Sequence, residues 1–593
     1  MTTPAARGGR AFAADPIVEA PGELPPHWVT QLVSCEVDQN VGLPDAAVLT
    51  YRDPDHELLT TTHITIGTVL RILVVTVQGN ARELLFAGEV TAVELDSDTT
   101  GSFTVVRALS KAHRLQRGRK VVAYRNMTTA AIVRKVAAGA GLPCGRIQAP
   151  RITHKQMSQA NVSDWDFLQY LAGESGAQVR VTDKGVLEFV RPKPAASAPA
   201  PSTSATSNPF VLQYGRNLLA LRAVLTGAEG AGSVEVRGWN VDTKQPLVAR
   251  QPSVLSGTVT PGMPPSKAEQ AFGASARMAV VDTPYRTQAA TRAVASALAQ
   301  EVSSAFGEVE AVAEGDPRLR AGRPVALGTV GEDFSGRYTA TAARHVLEPH
   351  GGYRTTVLVS ASPDRSLAAL ASARGTPAGG PRMPGLAVAV VTDIRETGGA
   401  QRGWVRLKFP WLDETYVSDW VRTVQWGGQG GGGVFSPEVN DEVLVGFEQG
   451  QLDSPYVLGG LYNGVDKPSP HDVPLVDRTS GKINRRSLVS RSGHRLELLD
   501  TARGIFGVRL SSGNKRLRVT LDERRNEIGL RVSGPGGRRT LSSVTLSPSG
   551  ITLDAGTGEV NVKGSAVNIK GTSRVSVNGG LLAVLKAKLI RIN

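Results

Sequence analysis

The feature that most constrains the fold is a series of five short alternating segments between Leu386 and Tyr462. They read LAVAVVTDI, GWVRLKFPWL, DWVRTVQW, DEVLVGFEQG and SPYVLGGLYN, with turn residues between them. Alternation of apolar and polar residues is typical of half-buried strands. Five such strands within about 80 residues predict a small closed β-barrel of the OB type.

A glycine-rich loop, WGGQGGGG, begins at Trp426 within this segment and formally matches the G-x-G-x-x-G pattern. That pattern marks a dinucleotide site only where a strand precedes it and a helix starts at its last glycine. Here Gly433 is followed by Val-Phe-Ser-Pro and another strand, and Pro437 is poorly placed for a helix interior. The context predicts a flexible or close-packed barrel turn, and no cofactor is expected.

Length and composition favour a mainly β, multidomain chain. A chain of 593 residues exceeds what one hydrophobic core holds, and 65 glycines with 5% aromatic residues favour turn-rich β architecture. Stretches rich in Pro, Ala, Ser and Gly mark linkers. The predicted divisions are a flexible N-terminal arm (1–27), a mixed strand and helix segment (28–190), an exposed linker or loop (191–209), a second mixed segment (210–370), a further linker (371–385), the OB-type barrel (386–466), a connector (467–486) and a C-terminal β segment (487–593).

Three helices are predicted within the mixed segments. The first begins after Thr128 or Thr129 as its N-cap. The second begins at Ser163, which with Asp166 resembles a capping box in which Asp replaces the usual Glu or Gln. The third covers 287–307, where apolar residues recur at i, i+4 spacing.

Recognisable catalytic and metal-binding patterns are missing from the sequence. No two of the nine histidines are spaced i, i+2 or i, i+4, and the two cysteines are far apart. His345 and His350 flank a predicted hairpin and are interpreted as packing or surface residues. Neither G-x-S-x-G nor H-E-x-x-H occurs, and the paired Asp441 and Glu442 belong to the barrel segment. We therefore predict no catalytic, cofactor-binding or metal-binding residues.

The excess positive charge is confined to the last fifth of the chain. From Lys482 to the C-terminus there are 21 Lys and Arg against 7 Asp and Glu, which accounts for the whole net charge of +14. Such a segment either contacts an anionic partner, as nucleic acid or a membrane surface would be, or is the solvated face of a β structure. The N-terminus lacks a signal-peptide core, and no apolar stretch reaches membrane-spanning length.

Short apolar pairs recur near the C-terminus at offsets of seven and then eight residues. Each unit is predicted to be a strand of about three residues and a turn, which cannot bury a face within one chain. Repeated short strands imply stacking, and we expect the missing strands to come from other copies of this chain. The pairs are Val560/Val562, Val567/Ile569 and Val575/Val577.

The stretch WGGQGGGGVFSPEVNDEVLVGFEQGQLDSPYVLGGLYN resembles the OB-domain signature of VgrG spike proteins and of contractile-tail phage spikes. Asn440 stands where that family often has Gly, and Asn also tolerates the left-handed conformation. The residues that carry the resemblance are Trp426, Gly433, Pro437, Glu438, Asp441, Glu442, Gly446, Phe447, Pro455, Gly459 and Asn463.

The resemblance extends to both sides of the barrel. FVLQYGRNLLALRAVLTG, VEVRGWNV and FSGRYTATAARHVLEPHGGYRTTVLVS are similar to the phage late-control hub domain, and SRSGHRLELLD is similar to the start of the family's triple-stranded spike. The resemblance implies a homotrimer. Its hub would have two β-barrel-type domains per chain with α/β insertions (28–190 and 210–370), an OB-fold collar (386–466) and a triple-stranded β-helix or prism as the needle (487–593).

The function implied by the resemblance is mechanical. The trimer would be the hub and membrane-puncturing central spike of a phage-tail-like particle, a type VI-like apparatus or a phage baseplate, made in the bacterial cytoplasm and then carried in a cytoplasmic or released particle. Its implied partners are a hexameric inner tube protein, baseplate proteins, effector cargo, a PAAR-like tip protein and, transiently, the target membrane. The tip protein would contact Leu589, Ile590, Ile592 and Asn593.

Two other classes of function remain as alternatives. The first is a spike-borne enzyme such as a cell-wall hydrolase, although only about 25 residues separate Asn463 from Leu488, too few for an enzyme domain. The second is an OB-fold that binds single-stranded nucleic acid, because Trp404 and Arg406 lie on one strand face. Acidic residues directly after that strand would repel a phosphate backbone, and we therefore expect no nucleic-acid partner.

Overall fold

Two compact units form along the chain, Met1–Leu461 and Tyr462–Asn593. Both are mainly β, which confirms the predicted fold class. His350, Asn593 and most of the predicted linker at 371–385 lie outside the described residues. The computed structural model describes residues 12–77, 81–227, 230–253, 257–273, 275–349, 351–360, 382–383, 385–502 and 504–592.

The N-terminal elements surround one apolar core. Phe12 and Leu24 are buried in it, and the strand at Ile17–Glu19 pairs antiparallel with Val69–Val75. The prediction of a flexible arm over 1–27 is therefore wrong from residue 12 onward, because these apolar side chains complete the core. The elements are β1 (Ile17–Glu19), α1 (Pro26–Gln31), β2 (Leu32–Asn40), β3 (Ala46–Arg52), α2 (Leu58–Thr62), β4 (Val69–Val75), β5 (Arg82–Asp98) and β6 (Gly101–Leu109).

A mixed α/β module with its own core follows. Its first helix begins after Thr128, whose hydroxyl oxygen accepts the N–H of Ala131 at 3.2 Å. Its second begins after Ser163, which accepts the N–H of Asp166 at 3.1 Å and donates to the Asp166 carboxylate at 2.7 Å. Both predicted caps are confirmed. The elements are β7 (Lys120–Thr128), α3 (Thr129–Gly139), β8 (Cys144–Ile147), β9 (Thr153–Val162), α4 (Asp164–Ser175), β10 (Gln178–Val181) and β11 (Leu187–Val190).

The predicted linker at 191–209 is not an exposed linker. Ala195, Ala198 and Ala205 are buried, and the Thr339 hydroxyl donates to the backbone oxygen of Lys193 at 2.8 Å. The stretch has the low-complexity composition of a linker, but its small side chains let its backbone lie close against a neighbouring sheet. Packing against residues distant in sequence thus overrides the local composition.

The second mixed segment contains a second β core and a second α/β module. The predicted third helix is confirmed at Gln288–Ser304. The elements are β12 (Val211–Gln213), β13 (Leu218–Leu225), β14 (Ser233–Asn240), β15 (Gln245–Pro252), β16 (Val259–Pro261), α5 (Pro265–Phe272), β17 (Arg277–Tyr285), α6 (Gln288–Ser304), β18 (Gly307–Glu314), β19 (Pro324–Gly328), β20 (Gly336–Thr339), β21 (Ala342–Glu348) and β22 (Gly352–Val359).

One ten-stranded sheet joins the two halves of this unit. Its order is β1-β4-β5-β6-β3-β2-β21-β22-β18-β13, and the halves meet where β2 pairs antiparallel with β21. His345 is fully buried near that seam, where its Nδ1 lies 3.0 Å from the Tyr353 hydroxyl, and burial lowers its pKa to about 3. It is a packing residue, as predicted.

The OB-type barrel forms around Phe409, which is fully buried, and its five strands match the five predicted segments. They are joined in the order β24-β23-β26-β27-β25. The strands are β23 (Leu386–Asp393), β24 (Arg406–Lys408), β25 (Arg422–Thr423), β26 (Glu442–Phe447) and β27 (Pro455–Gly460).

The second unit contains seven antiparallel strands in sequence order, here called the C-terminal sheet. The strands of this sheet are five to eight residues long. The three-residue strands predicted at 560–577 do not form in this single chain, and no strand follows Asp554 in the described residues. The strands are β28 (Arg485–Val489), β29 (Arg495–Asp500), β30 (Phe506–Ser511), β31 (Leu517–Asp522), β32 (Glu527–Ser533), β33 (Thr540–Ser547) and β34 (Gly550–Asp554).

Candidate functional site

The glycine loop of the barrel is closed by backbone contacts with itself. A Cβ added to Gly427 would lie 2.1 Å from the backbone oxygen of Gly431, and one added to Gly432 would lie 2.5 Å from Gly427 Cα. Gly432 also has a φ of +100°, which disfavours other residues. No helix begins at Gly433 within the described residues 385–502. The loop therefore has close-packed backbone rather than the geometry of a phosphate site.

An aromatic pair lies over the end of this loop. The ring centroids of Trp426 and Phe435 are 4.5 Å apart, and Trp426 remains 69% exposed. Gly433 makes the pairing feasible, because a Cβ there would lie 2.6 Å from a ring carbon of Phe435. The N–H of Phe435 donates to the side-chain oxygen of Gln425 at 2.7 Å. Pro437 follows in an irregular segment that leads to the next strand.

The signature acids form a turn before strand β26. The N–H of Glu438 donates to the Asp441 carboxylate at 2.9 Å, and Asn440 has a φ of 74°. The N–H of Asn440 donates to the backbone oxygen of Val391 at 2.8 Å, which attaches the turn to strand β23. Glu442 is the first residue of β26. Asn440 adopts the left-handed conformation that its position in the signature predicts.

The remaining barrel residues of the signature support packing. The rings of Phe447 and Phe409 lie 5.9 Å apart between centroids, and Pro455 pairs with Phe447 across the sheet. Gly446 and Gly459 lie on the adjacent strands β26 and β27. Phe447 and Pro455 thus contribute to barrel packing, whereas a Cβ at Gly459 would meet nothing within 4 Å, and none of these residues presents a reactive group.

A junction of buried polar groups attaches the barrel to strand β9. The Asp453 carboxylate accepts the N–H of Ser158 at 2.8 Å and the side-chain amide of Gln156 at 3.3 Å. The Tyr416 hydroxyl lies 2.9 Å from the Ser158 hydroxyl. Burial raises the pKa of Asp453 above its usual range, although these hydrogen bonds oppose the shift. Sequence reasoning missed this junction because its members lie far apart along the chain.

A second acid lies close to this junction, at the end of helix α4. The Tyr170 hydroxyl donates to Glu174 Oε1 at 2.9 Å. Burial raises the pKa of Glu174 to about 7, the negative charge of Asp453 adds to the shift, and hydrogen bonds from Tyr170 and Tyr285 oppose it. The junction thus favours a protonated carboxylic acid on the hub side at neutral pH or below.

Trp404 and Arg406, which were considered above for nucleic-acid binding, make contacts within the barrel. The Arg402 guanidinium lies 3.6 Å from the ring centroid of Trp404, and that of Arg406 lies 4.8 Å from the ring centroid of Trp420. The Arg402 side chain also donates to Glu396 at 2.8 Å. These contacts pair the basic groups internally and give no support to a nucleic-acid track.

The C-terminal sheet has one apolar face that its own chain leaves open. Strand register places Leu, Ile and Val side chains opposite one another, for example Leu498 opposite Val508 and Leu530 opposite Val544. Val508 and Val544 are half-buried, and the exposed members of this face range from 37% exposed at Leu546 to 72% at Ile551. Exposed members are Leu496, Leu498, Leu510, Leu517, Leu521, Ile528, Leu530, Val532, Leu546, Ile551 and Leu553.

A charged cluster on the opposite face fixes the connector onto the sheet. Arg509 Nε donates to Glu497 Oε2 at 2.7 Å, and its terminal nitrogens donate to both Asp472 oxygens at 2.8 Å. His471 Nε2 is in contact with Glu497, and both side chains are almost completely buried. The hydrogen bonds from Arg509 hold the pKa of Asp472 well below its usual range. The predicted connector is therefore a packed strap.

The two ends of the second unit differ in their environment. Near its start, Asn463 Oδ1 accepts the N–H groups of Val465 and Asp466 at 2.8 and 2.7 Å, which closes a turn. At the far end, the predicted tip residues are exposed in this single chain, and Asn593 lies outside the described residues. The described tip residues are Leu589, Ile590 and Ile592.

Among the described residues, no group of three or more His, Cys, Asp or Glu side chains is arranged to hold a metal ion. No helix in the described parts of the chain is both long enough and apolar enough to cross a bilayer.

Two protein families match this chain. Residues 387–462 match the Type VI secretion system/phage-baseplate injector OB domain, which covers the barrel described above. Residues 47–348 match the Alg8 N-terminal domain over slightly more than half of the chain. The chain belongs to the family that this Alg8 N-terminal domain defines.

Similar curated proteins come from Pseudomonas aeruginosa. The type VI secretion system spike protein VgrG4b is 38% identical over 101 residues, 16% of this chain and 12% of VgrG4b. VgrG5 is 40% identical over 101 residues, 16% of this chain and 13% of its own length. The matched segment thus spans about an eighth of the length of these relatives. The predicted resemblance to VgrG spike proteins is confirmed by these matches and by the OB domain.

Several solved structures align with this chain at low sequence identity. An Escherichia coli component of the type VI secretion system aligns over 73% of this chain and 97% of its own, with 14% identity and a TM-score of 0.44. The 43 kDa tail protein of prophage MuSo2 from Shewanella oneidensis aligns over 59% and 98%, with 13% identity and a TM-score of 0.44. A Francisella PdpA–VgrG complex aligns over 89% and 76%, with 8% identity and a TM-score of 0.46.

Proposed function

We propose that this chain is the structural hub and central spike of a contractile injection system and that it works as a homotrimer. The observation that carries the proposal is the open apolar face of the C-terminal sheet. Soluble monomers rarely expose contiguous apolar patches beyond a few hundred Å², whereas this face crosses all seven strands. The match of residues 387–462 to an injector OB domain points to the same class of protein.

Trimerisation would bury that face. Three copies of the sheet packed with their apolar sides inward would form a prism, and their polar sides, with most of the excess positive charge, would face outward. The segments beyond Asp554 would then pair between chains, which supplies the hydrogen-bond partners that one chain lacks. Because backbone hydrogen bonds would be shared among three chains, no chain could be peeled away alone under load.

The hub halves would join this spike to a tube. Two β cores lie on one ten-stranded sheet in each chain, so three chains would present six such cores, which matches a hexameric inner tube protein. Baseplate proteins and effector cargo are further proposed partners. Exposed Leu589, Ile590 and Ile592 at the far end would dock a PAAR-like tip protein.

The proposed mechanism is mechanical. Sheath contraction would drive the tube forward, and the needle would concentrate that force on a small area of the target envelope. The outward positive charge would favour brief contact with anionic lipid headgroups. Catalysis has no part in this mechanism, and incubation with purified cell-wall peptidoglycan should release no soluble glycan or peptide. Sustained release by the purified chain would favour the enzyme alternative.

Electron microscopy of the purified full chain tests the proposal. The expected particle is a club with a wider hub, a collar and a needle with threefold symmetry. A population of separate single-chain particles, at protein concentrations where the chain is otherwise folded, would overturn it.

A further inference from the structure

A second surface of the hub carries an ordered cluster of charged side chains. Strands β14, β15 and β17 form a three-stranded sheet whose inner face packs on helix α6 through Val234, Val236 and Val280. Strand alternation places the residues between these on the opposite, outer face. On that outer face, Glu235 pairs directly with Arg250 across the strands.

Three guanidinium groups surround the Glu235 carboxylate. Arg237 Nε donates to Oε1 at 2.7 Å, Arg250 Nε donates to Oε2 at 2.5 Å, and Arg277 Nη1 donates to Oε2 at 3.2 Å. The Glu235 side chain is only 2% exposed, whereas the three arginine side chains are 52%, 64% and 55% exposed. The hydrogen bonds from Arg237 and Arg250 lower the pKa of Glu235 to about 2, so the carboxylate stays charged.

Glu235 holds the three arginine side chains in place, and the cluster keeps a net positive charge. Three guanidinium groups and one carboxylate leave two positive charges on a small area. Arg237 and Arg250 donate to Glu235 through Nε, so these hydrogen bonds do not use their terminal nitrogens. Within the described residues, these three arginines form ion pairs with Glu235 only. A fork of terminal N–H donors suits a carboxylate that approaches from solvent.

The surroundings of this cluster favour a protein partner over a polyanion. Strand alternation places Trp239 and Val281 on the same outer face, and both are substantially exposed. Aromatic residues and arginine are enriched in protein interfaces. The only carboxylate that forms ion pairs with these arginines among the described residues is Glu235, and the apolar surface beside them suits a folded or peptide partner better than a phosphate backbone.

We infer that the outer face of strands β14, β15 and β17 docks an acidic protein segment, whose carboxylates bind the free ends of Arg237, Arg250 and Arg277 while an apolar side chain packs on Trp239. Glu235 acts as a positioning residue, because it orients the three arginines without contacting the partner. Strands β14, β15 and β17 contain none of the residues to which the trimer and tip contacts are assigned above.

Fluorescence anisotropy of a labelled peptide tests this inference with the purified full chain. The probe is a fluorescein-labelled peptide with the sequence Gly-Leu-Glu-Glu-Leu-Glu-Glu-Leu-Gly, and its matched control has Gln in place of every Glu. The test variant is Ala279→Glu, because Ala279 is exposed and lies opposite Glu235 in the register of β14 and β17. The added carboxylate would occupy the arginines and leave the fold intact.

The Glu peptide should bind wild type at least about tenfold more tightly than the Gln peptide, since loss of one charged hydrogen-bonded pair costs a factor of that order. Ala279→Glu should weaken its binding to a similar extent with unchanged thermal stability. An Arg237→Gln, Arg250→Gln double variant should also weaken binding of the Glu peptide, and it should lower thermal stability because Glu235 is buried. An Arg117→Gln, Arg119→Gln double variant, which removes two exposed arginines elsewhere, should leave binding unchanged.

Each of the following results would overturn the inference. They are equal binding of the two peptides, unchanged binding by Ala279→Glu, and tighter, Ala279→Glu-sensitive binding of single-stranded oligothymidylate than of the Glu peptide. The last result would assign the face to nucleic acid instead. Absence of peptide binding by the wild-type chain would also count against it.

Discussion

Replacement of Glu174 by glutamine is expected to stabilise the hub at pH 8 and to leave it nearly unchanged at pH 4.5. Glutamine keeps an oxygen that can accept the hydrogen bond from the Tyr170 hydroxyl, which lies 2.9 Å from Glu174 Oε1. It removes only the capacity to ionise. The variant therefore isolates the free energy by which ionisation of this one carboxyl group destabilises the folded state at the junction between hub and barrel.

The size of the effect follows from the pKa of Glu174. Burial raises that pKa from an ordinary 4.5 to about 7. Between these values the folded chain retains a proton that the unfolded chain has lost, so the free energy of unfolding falls as pH rises through this window. A difference of about 2.5 pKa units corresponds to about 3 kcal/mol at most. The full loss of unfolding free energy applies above pH 7, and none of this loss applies below pH 4.5.

Thermal unfolding of the full chain, followed by circular dichroism from pH 4.5 to pH 8, measures this effect. The hub transition of Glu174→Gln should lie a few degrees above wild type at pH 8 and should coincide with it at pH 4.5. The control is Glu310→Gln, an exposed carboxylate on strand β18, which should leave the pH dependence unchanged. A stabilisation of the same size at both pH values, or a destabilisation at pH 8, would refute the reasoning.

Three further predictions concern the barrel and the C-terminal sheet. Gly433→Val should cost about 1–3 kcal/mol, because its Cβ would lie 2.6 Å from the Phe435 ring, and thermal unfolding of the barrel measures this. Arg509→Met should destabilise the second unit by about 3–5 kcal/mol in chemical denaturation, because the buried Glu497 would lose its hydrogen-bonded guanidinium and keep the more distant one of Arg495, at 3.7 Å. Leu530→Asp should shift the assembly equilibrium towards single chains in sedimentation experiments, since it places a charge on the apolar face.

Each of these changes has a matched control. Gly428→Val should be tolerated, because a Cβ there meets nothing within 4 Å. Thr552→Asp adds a charge to the polar face of the C-terminal sheet and should leave assembly unchanged. Glu497→Gln together with Arg509→Met removes both partners, so it should cost less than Arg509→Met alone. Control variants as damaging as their partners would contradict these explanations.

Acidification should also loosen the strap on the C-terminal sheet. The pKa of Asp472 is held low by hydrogen bonds from Arg509, so this interaction contributes stability above the ordinary pKa of aspartate. That contribution is lost as pH falls below about 4. The protection factors of amides in residues 471–484, which correct for the intrinsic pH dependence of exchange, should therefore be lower at pH 3 than at pH 6, and equal protection factors at both values would contradict this.

Local features of the fold could be predicted from the sequence because they depend on neighbouring residues. The caps at Thr128 and Ser163 need only the next few backbone N–H groups. The five barrel strands follow from alternation, and the left-handed turn at Asn440 follows from its place in the signature. The strand and the proline after Gly433 predict that the glycine loop is not a phosphate site, and the backbone of the loop closes on itself.

Features that depend on distant partners could not be predicted. Residues 12–27 have no strong local pattern, and only the core formed by later strands fixes Phe12 in place. The stretch 191–209 has the composition of a linker but packs through its small side chains. Pairing of β2 with β21 joins the two halves, and no local signal encodes that register.

The candidate site likewise combines features that could be predicted from local sequence with features that depend on distant residues. The signature residues of the barrel could be named in advance, and the structure places most of them in packing roles. The buried Glu174, the arginines around Glu235 and the strap at His471 each combine residues from separate segments. Only the three-dimensional arrangement reveals that these side chains share an environment.

The mass of the full chain in solution tests the central claim most directly. Sedimentation velocity near neutral pH should show one species that contains three copies of the 62.5 kDa chain, stable on dilution because the apolar face of the C-terminal sheet is buried. A folded species with the mass of one chain, unchanged as concentration rises, would contradict the account.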